Sequence, residues 1–460
     1  MIERIEALGP LVTDCTLPGE TKADEVWPAH PNGLPLSKDR WLLAYATRGY
    51  RFGDDDHSAV YQIRQGSPVG RVIKEGYFSR GHDQWQPLPD GRKYYKQHGH
   101  PVVFGVPRGA LLRGRRVGHE NVFVVKWRIL GIDIHEPGQW AGWAGKWPGR
   151  PQSTQGVEWM QFRLNDRGDD IEILQPARPL RQKGCEGGSP VIGYTGDGQS
   201  LERMNQSFVP ASPFNDDASE WADVNHFPGG RLAALKYRFD PAGGVYEWVQ
   251  TGPWISSGDP DVSLFEASLV RGADAWIIAA RKKLSERTEK TAAPETPAGW
   301  GQVDFHEAGA VWVRAEDPFQ RVGAAVFPQG PRCFNVPMAA FRCGDGVVRL
   351  FSGDASLSTP PRGRRNPLRC WDIDQQTFEA SNHRVVFDAL DYPGLPIRRS
   401  ADKPEWTPAC DMAKLLPHMG GREQILVHRI HLNRAENAHA GIYHEKIVYS
   451  EDCPPAWSFA

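Results

Sequence analysis

Three clusters along this chain have residue types and spacing suited to chemistry. The first is Arg48-Gly49-Tyr50-Arg51-Phe52-Gly53-Asp54-Asp55-Asp56-His57. Three adjacent carboxylates repel, which calls for a raised pKa, a bound cation, or pairing with Arg48 or Arg51. A carboxyl with a raised pKa is what a general acid needs near neutral pH. Asp55 and Asp56 are the candidate acids, with Arg48 and His57 beside them as substrate contacts. A solvated acidic turn is the plain reading of the same residues.

The second cluster is Lys96-Gln97-His98-Gly99-His100-Pro101. Histidines at i and i+2 share one face of an extended strand. His100 is the candidate acid or base there, and His98 a substrate contact. Two histidines are half a metal site, but no third ligand is evident, so neither a metal nor a cofactor is expected. Cations follow at Arg108 and in Lys126-Trp127-Arg128. The third cluster pairs Glu266 with Arg281. Glu266 precedes one apolar run and Arg281 ends the next, so a hairpin would set them side by side. They read as a catalytic carboxylate with its support, or as a structural ion pair.

The elements that must position these residues are strands. Six times an apolar run meets a second across a polar connection. Trp41 to Ala46 is followed by Ala59 to Arg64, and Asn121 to Arg128 by Glu158 to Phe162. Arg231 to Phe239 leads to Val245 to Val249, and Ala275 to Arg281 to Ala310 to Val313. Val347 to Phe351 leads to Leu368 to Asp372, and Glu423 to Ile430 to Glu445 to Tyr449. Strand-turn-strand units repeated at tens of residues predict an all-β fold. The expected form is a six-bladed β-propeller with four-stranded antiparallel blades around a central channel. The whole chain, 1–460, reads as one propeller domain with an irregular lead-in over 1–35 that could close the last blade. Helical periods are nearly absent. The best candidate, Ala273 to Lys290, has a centre that reads equally well as a buried strand.

The 48 glycines and 38 prolines fit many short strands joined by turns. A formal charge of −2 offers no basic field, so nucleic acid is not an expected partner. No apolar run approaches the ~20 residues of a membrane span. Met1 to Glu6 lacks an apolar signal core, which reads as cytoplasmic; a secreted chain with its signal removed would look the same. Seven scattered cysteines argue against a disulfide framework. The 17 tryptophans serve blade packing or sugar stacking, and Trp140, Trp143 and Trp147 fall together in a loop. Oligomeric state is open.

The Glu266 to Arg281 segment resembles the sialidase-type propeller pattern, in which a Glu opens a strand and an Arg closes the next. The opening segment resembles that family's first blade: a Trp-Leu-Leu-Ala strand, an Asp in the following loop, then a strand ending in Arg. The resemblance implies that Asp54, Asp55 or Asp56 is the general acid. It makes Glu266 the residue that activates a nucleophilic tyrosine, and Arg281 one arginine of a carboxylate-binding triad. Tyr443 is the best match for the tyrosine, and Arg332 a loose match for another arginine. Two features depart from the pattern. Ala29-His30-Pro31-Asn32 stands where the family places its first triad arginine, and no Ser-x-Asp-x-Gly-x-Thr-Trp box occurs.

The expected function is that of a carbohydrate-active enzyme, a glycoside hydrolase acting on a glycan at the channel mouth. The alternative enzyme is a polysaccharide lyase. There a His or Tyr removes the proton beside a uronate carboxylate that Arg neutralises. His30, His98, His100, Tyr443 and Arg108 suit that chemistry. A non-catalytic propeller that binds glycan or protein is the third reading.

Overall fold

The computed structural model describes residues 1–13, 26–49, 56–80, 86–87, 93–112, 115–116, 121–133, 155–179, 206–210, 234–253, 255, 262–284, 310–324, 326, 338–354, 365–393, 395, 409–431 and 440–459. Among them there are strands and turns but no α-helix. The expected helical candidate holds the strand Trp276–Leu284 instead.

Among the described residues the strands form six consecutive antiparallel meanders, the blades of a propeller. Blade 1 comprises Val26–Ser37, Arg40–Gly49, Asp56–Gln65 and Val72–Ser79. Blade 2 comprises Gln86–Pro87, Lys93–Val106, Val122–Asp133, Gln155–Leu164 and Ile171–Pro179. Blade 3 has Gln206–Pro210, Ala234–Asp240 and Val245–Thr251; blade 4 has Val262–Arg271, Trp276–Leu284 and Ala310–Ala315. Blade 5 is Ala339–Arg342, Val348–Ser352, Leu368–Ile373 and Ala380–Phe387. Blade 6 is Ala409–Leu415, Gly421–His431 and Gly441–Cys453, completed by Ile2–Val12.

Each of the six expected pairs of runs is hydrogen-bonded in register, for example Leu42 with Ile63, Lys126 with Trp159 and Ile447 with Gln424. Among the described residues the blades show three, four or five strands. One expectation needs correction. The lead-in is not irregular throughout. Ile2–Val12 closes blade 6 against Gly441–Cys453, and Val26–Ser37 is the first strand of blade 1. Its prolines and charges hide these strands from a pattern search.

The apolar runs are continuous because a blade is buried on both faces. In Arg40–Gly49, Leu42 and Ala44 join a core with Val103, Phe123 and Val125 of blade 2. Trp41, Leu43 and Tyr45 join another with Val427 and Ile442 of blade 6. Similar seams follow around the ring. Phe104 of blade 2 packs on Tyr237 of blade 3, centroids 5.0 Å apart. Ala234 shares a core with Leu264 and Ile278 of blade 4. Trp312 of blade 4 stacks on Phe378 beside blade 5, at 5.6 Å and 12°. Phe351 and Cys370 of blade 5 share a core with Leu426 and Ile447 of blade 6. Burial at about 25 cal/mol per Å² makes these seams the main source of stability.

Val26–Ser37 touches strands of both blade 2 and blade 6, which places it innermost. In blades 1, 4, 5 and 6 short turns join the first strand to the second, such as Cys343 to Val347, where Gly346 takes φ +81° and donates to the Cys343 carbonyl at 2.9 Å. In those blades the second strand ends at the opposite end of the ring, where the inner strand begins. At the short-turn end, Trp457–Phe459 leaves blade 6 and pairs with Ala110–Leu112, next to blade 2. Trp457 is buried there with Ala110.

Candidate functional site

Four inner strands carry the same irregularity. In each, two residues oppose one on the second strand. His30-Pro31 lie opposite Tyr45, between the pairs Ala29–Ala46 and Asn32–Ala44. His100-Pro101 lie opposite Trp127, between Gly99–Arg128 and Val102–Lys126. Glu266-Ala267 lie opposite Ala280, between Phe265–Arg281 and Ser268–Ala279. Met412-Ala413 lie opposite His428, between Asp411–Arg429 and Lys414–Val427. These are β-bulges, which re-aim a side chain and interrupt pairing. His30 and Met412 take φ +52° and +54°, a left-handed backbone that non-glycine residues adopt at a cost of order 1–3 kcal/mol. Three of the four bulges begin with His30, His100 and Glu266, all sequence candidates.

Around the first bulge the chain builds a charged network where blades 5, 6 and 1 meet. Arg429 donates through Nε to Asp411 Oδ1 at 2.7 Å, and its Nη2 lies 2.6 Å from the same oxygen. Arg365, just before blade 5's third strand, donates to Asp411 Oδ2 at 2.8 Å. Arg429 Nη1 also lies 3.3 Å from His30 Nε2. A guanidinium can only donate, so Nε2 is the acceptor and His30 carries its proton on Nδ1. The Asp411 side chain is fully buried and that of Arg429 is 2 % exposed. One strand face over, His428 Nε2 lies 2.8 Å from Glu445 Oε1, both fully buried. Burial pushes the Glu445 carboxyl up, against the pull of His428. Asp411, Arg429, Arg365 and Glu445 were not singled out from sequence; nothing local marks them.

Other candidates fall as follows. Arg281 is buried in the second strand of blade 4, paired with Phe265 and Ala310. Glu266 lies within the inner strand rather than before it, one residue from the position opposite Arg281. Arg48 pairs with Asp56 in backbone register. Asp56 and His57 open the third strand of blade 1, at the end where Lys93 opens the inner strand of blade 2. His98 pairs with Ile129, and His100 is the first residue of the bulge that follows Gly99.

Two placements bear on the expected site. Tyr443 is 2 % exposed in the core between blades 5 and 6, its ring packed on Phe387, Tyr392 and His428. Burial pushes its phenol up to about 12. Tyr443 is thus part of the inter-blade core, on the third strand of blade 6 at the level of the Met412-Ala413 bulge. Arg108 is exposed on the turn after Val106, at the short-turn end. At about 3.3 Å per residue it lies roughly 25 Å along the strand from His100. Asp54, Asp55, Arg332, Trp140, Trp143 and Trp147 lie outside the described residues. His30, expected just before the first strand, is inside it.

No protein-family model matches the chain, and no curated protein matches it. Solved structures do match. Trypanosoma rangeli sialidase in complex with sialic acid superposes with a TM-score of 0.52 at 8% identity, over 98% of this chain and 58% of that one. The chain has the sialidase-type propeller fold. The same sialidase in complex with 2,3-difluoro-KDN gives 0.51 at 8% identity, over 97% and 57% of the two chains. A mutant displaying trans-sialidase activity gives 0.50 at 9%, over 97% and 58%. The chain therefore spans 58% of the length of the first sialidase it matches. Identity this low establishes the fold and leaves the chemistry to be argued from the site.

Proposed function

We propose that this propeller is a glycoside hydrolase acting on a glycan at the end of the channel where the inner strands begin. The observation that supports this is the set of matching bulges. They set His30, His100 and Glu266 at equivalent positions of blades 1, 2 and 4. Asp56 opens a strand at the same end opposite Arg48.

Glycoside hydrolysis needs two carboxyl groups: one protonates the leaving oxygen, and the other stabilises or attacks the developing oxocarbenium ion or activates water. Glu266, with Arg281 across the hairpin, takes the anionic role. Asp56, with Asp55 beside it, supplies the acid. His30 and His100 bind substrate hydroxyls. Asp411 accepts from both Arg365 and Arg429, one carboxylate between two guanidiniums, and this junction holds His30 in place.

The pair of His-Pro bulges on adjacent blades supports a second reading, a lyase in which His100 removes the proton beside a uronate carboxylate. Incubation with a glycan panel that includes uronate polymers distinguishes the two. Hydrolysis gives saturated reducing ends. Elimination gives an unsaturated product with its own ultraviolet absorbance.

A further inference from the structure

Four histidines are buried among the described residues: His30, His418, His428 and His444. Three of them lie in blade 6, and His30 bonds to blade 6 across the seam with blade 1. The proposed chemistry uses His30 alone, and His428 is matched to Glu445. His444, 9 % exposed, meets a different partner: its Nδ1 lies 2.9 Å from the Gly9 carbonyl. A carbonyl only accepts, so Nδ1 carries the proton of the neutral ring. Gly9 belongs to Ile2–Val12, the strand that completes blade 6, and the register against Gly441–Cys453 shifts on both sides of it.

Blade 1 reaches the same strand with a cation. Arg64 is 4 % exposed, and its Nη2 donates to the Leu11 carbonyl at 3.4 Å. Gly9 and Leu11 are two residues apart, about 7 Å along a strand. His444 of blade 6 and Arg64 of blade 1 thus fasten neighbouring carbonyls of one strand. The other Arg64 donors go to Gln62 Oε1, at 2.9 and 2.5 Å, and to the Gly70 carbonyl at 3.1 Å. None of these acceptors is an anion. Glu75 stands one side chain further on, hydrogen-bonded to Gln62. Tyr45 faces Arg64 within the seam, and His428 faces His444 from the neighbouring strand. A second proton on His444 places a cation facing Arg64 in the apolar seam of Trp41, Leu43, Val427 and Ile442.

We propose that the seam between blade 6 and blade 1 is an acid-sensitive latch, closed by neutral His444 and released when that imidazole takes its second proton. Release frees Ile2–Val12 and loosens the seam that His30 and Arg429 bridge. Burial, reinforced by Arg64 and His428, holds His444 below its ordinary 6.5, against the pull of the Gly9 hydrogen bond. The opened chain therefore binds the proton first. The contribution of His444 to closure is full above 6.5 and is lost as pH falls below it. The latch rests on the ring alone and does not depend on what the protein cleaves.

The test is hydrogen exchange of the full wild-type chain at about pH 7 and about pH 5, corrected for the intrinsic rate of each amide. The expected result is faster exchange at the lower pH in Ile2–Val12 and Gly441–Cys453, with Trp276–Leu284 across the ring unchanged. Equal protection at both values, or a loss spread evenly around the ring, overturns the latch. Melting of His444→Gln assigns the trigger. Glutamine keeps an N–H for the Gly9 carbonyl but takes no second proton, so the variant should gain on the wild type as pH falls below 6.5. The raised carboxyl of Glu445 works in the opposite sense and is common to both proteins. A difference between them that stays constant across that range overturns the proposal. Arg64→Gln, which removes the facing charge, should weaken the acid response as well.

Discussion

His30 of the first blade accepts a hydrogen bond from Arg429 of the last, Nη1 to Nε2 at 3.3 Å, across 399 positions of sequence. The bond crosses the seam at which the ring closes. It joins a residue on a strained bulge to a guanidinium already fixed on Asp411. A candidate substrate contact is thus held by a structural ion pair.

That arrangement separates two kinds of variant. Asp411→Asn leaves Arg429 buried and Arg365 with a weaker partner, and is expected to lose about 3 to 5 kcal/mol of stability. Arg365→Met should cost much less, because its side chain is 29% exposed. His30→Gly removes the imidazole but relieves the left-handed strain, so folding should persist while substrate affinity falls. Chemical denaturation of the three variants checks the order; equal losses would show that the network does not work as described.

The buried His428–Glu445 pair sets a pH dependence. Burial raises the folded Glu445 carboxyl above its ordinary 4.5. A group raised on folding contributes stability that is fully present below the unfolded value and is lost as pH rises through the folded one. Glu445→Gln keeps a hydrogen-bonding oxygen but cannot ionise. Its melting temperature should therefore gain on the wild type as pH rises above about 4.5. A constant difference between the two proteins across that range would contradict the raised carboxyl.

Tyr443→Phe tests the core placement of that residue. The substitution keeps the ring packing on Phe387 and Tyr392, so turnover on any cleaved glycan should stay within about twofold and the fold should be intact. A loss of roughly 10²-fold or more, the scale of a missing catalytic group, would return Tyr443 to the reacting centre.

The sequence made the strands legible because a blade buried on both faces writes a continuous apolar run, as in Trp41 to Ala46. The inner strands were harder. Val26–Ser37 carries Pro28, Pro31 and Pro35, which hide it from pattern reading. The bulges leave a partial trace. His-Pro recurs at 30–31 and 100–101, a repeat that could have been noticed. Glu266-Ala267 and Met412-Ala413 share no such signature, because register against the second strand defines them. Tyr443 looked suitable because a tyrosine near a strand start resembles a site residue. Sequence does not show that blade 5 covers it. The Asp411–Arg429–His30 network was invisible for the same reason: its members meet only once the ring closes.

The central claim rests on Glu266. The decisive measurement is turnover of Glu266→Gln against wild type, on a glycan from a panel that the wild type cleaves, with thermal unfolding of both proteins recorded alongside. A positioned catalytic carboxylate predicts a folded variant with nearly unchanged melting and a loss of roughly 10²-fold or more in turnover. Full turnover in a folded variant, or no cleavage of any glycan by the wild type, would contradict the glycosidase reading.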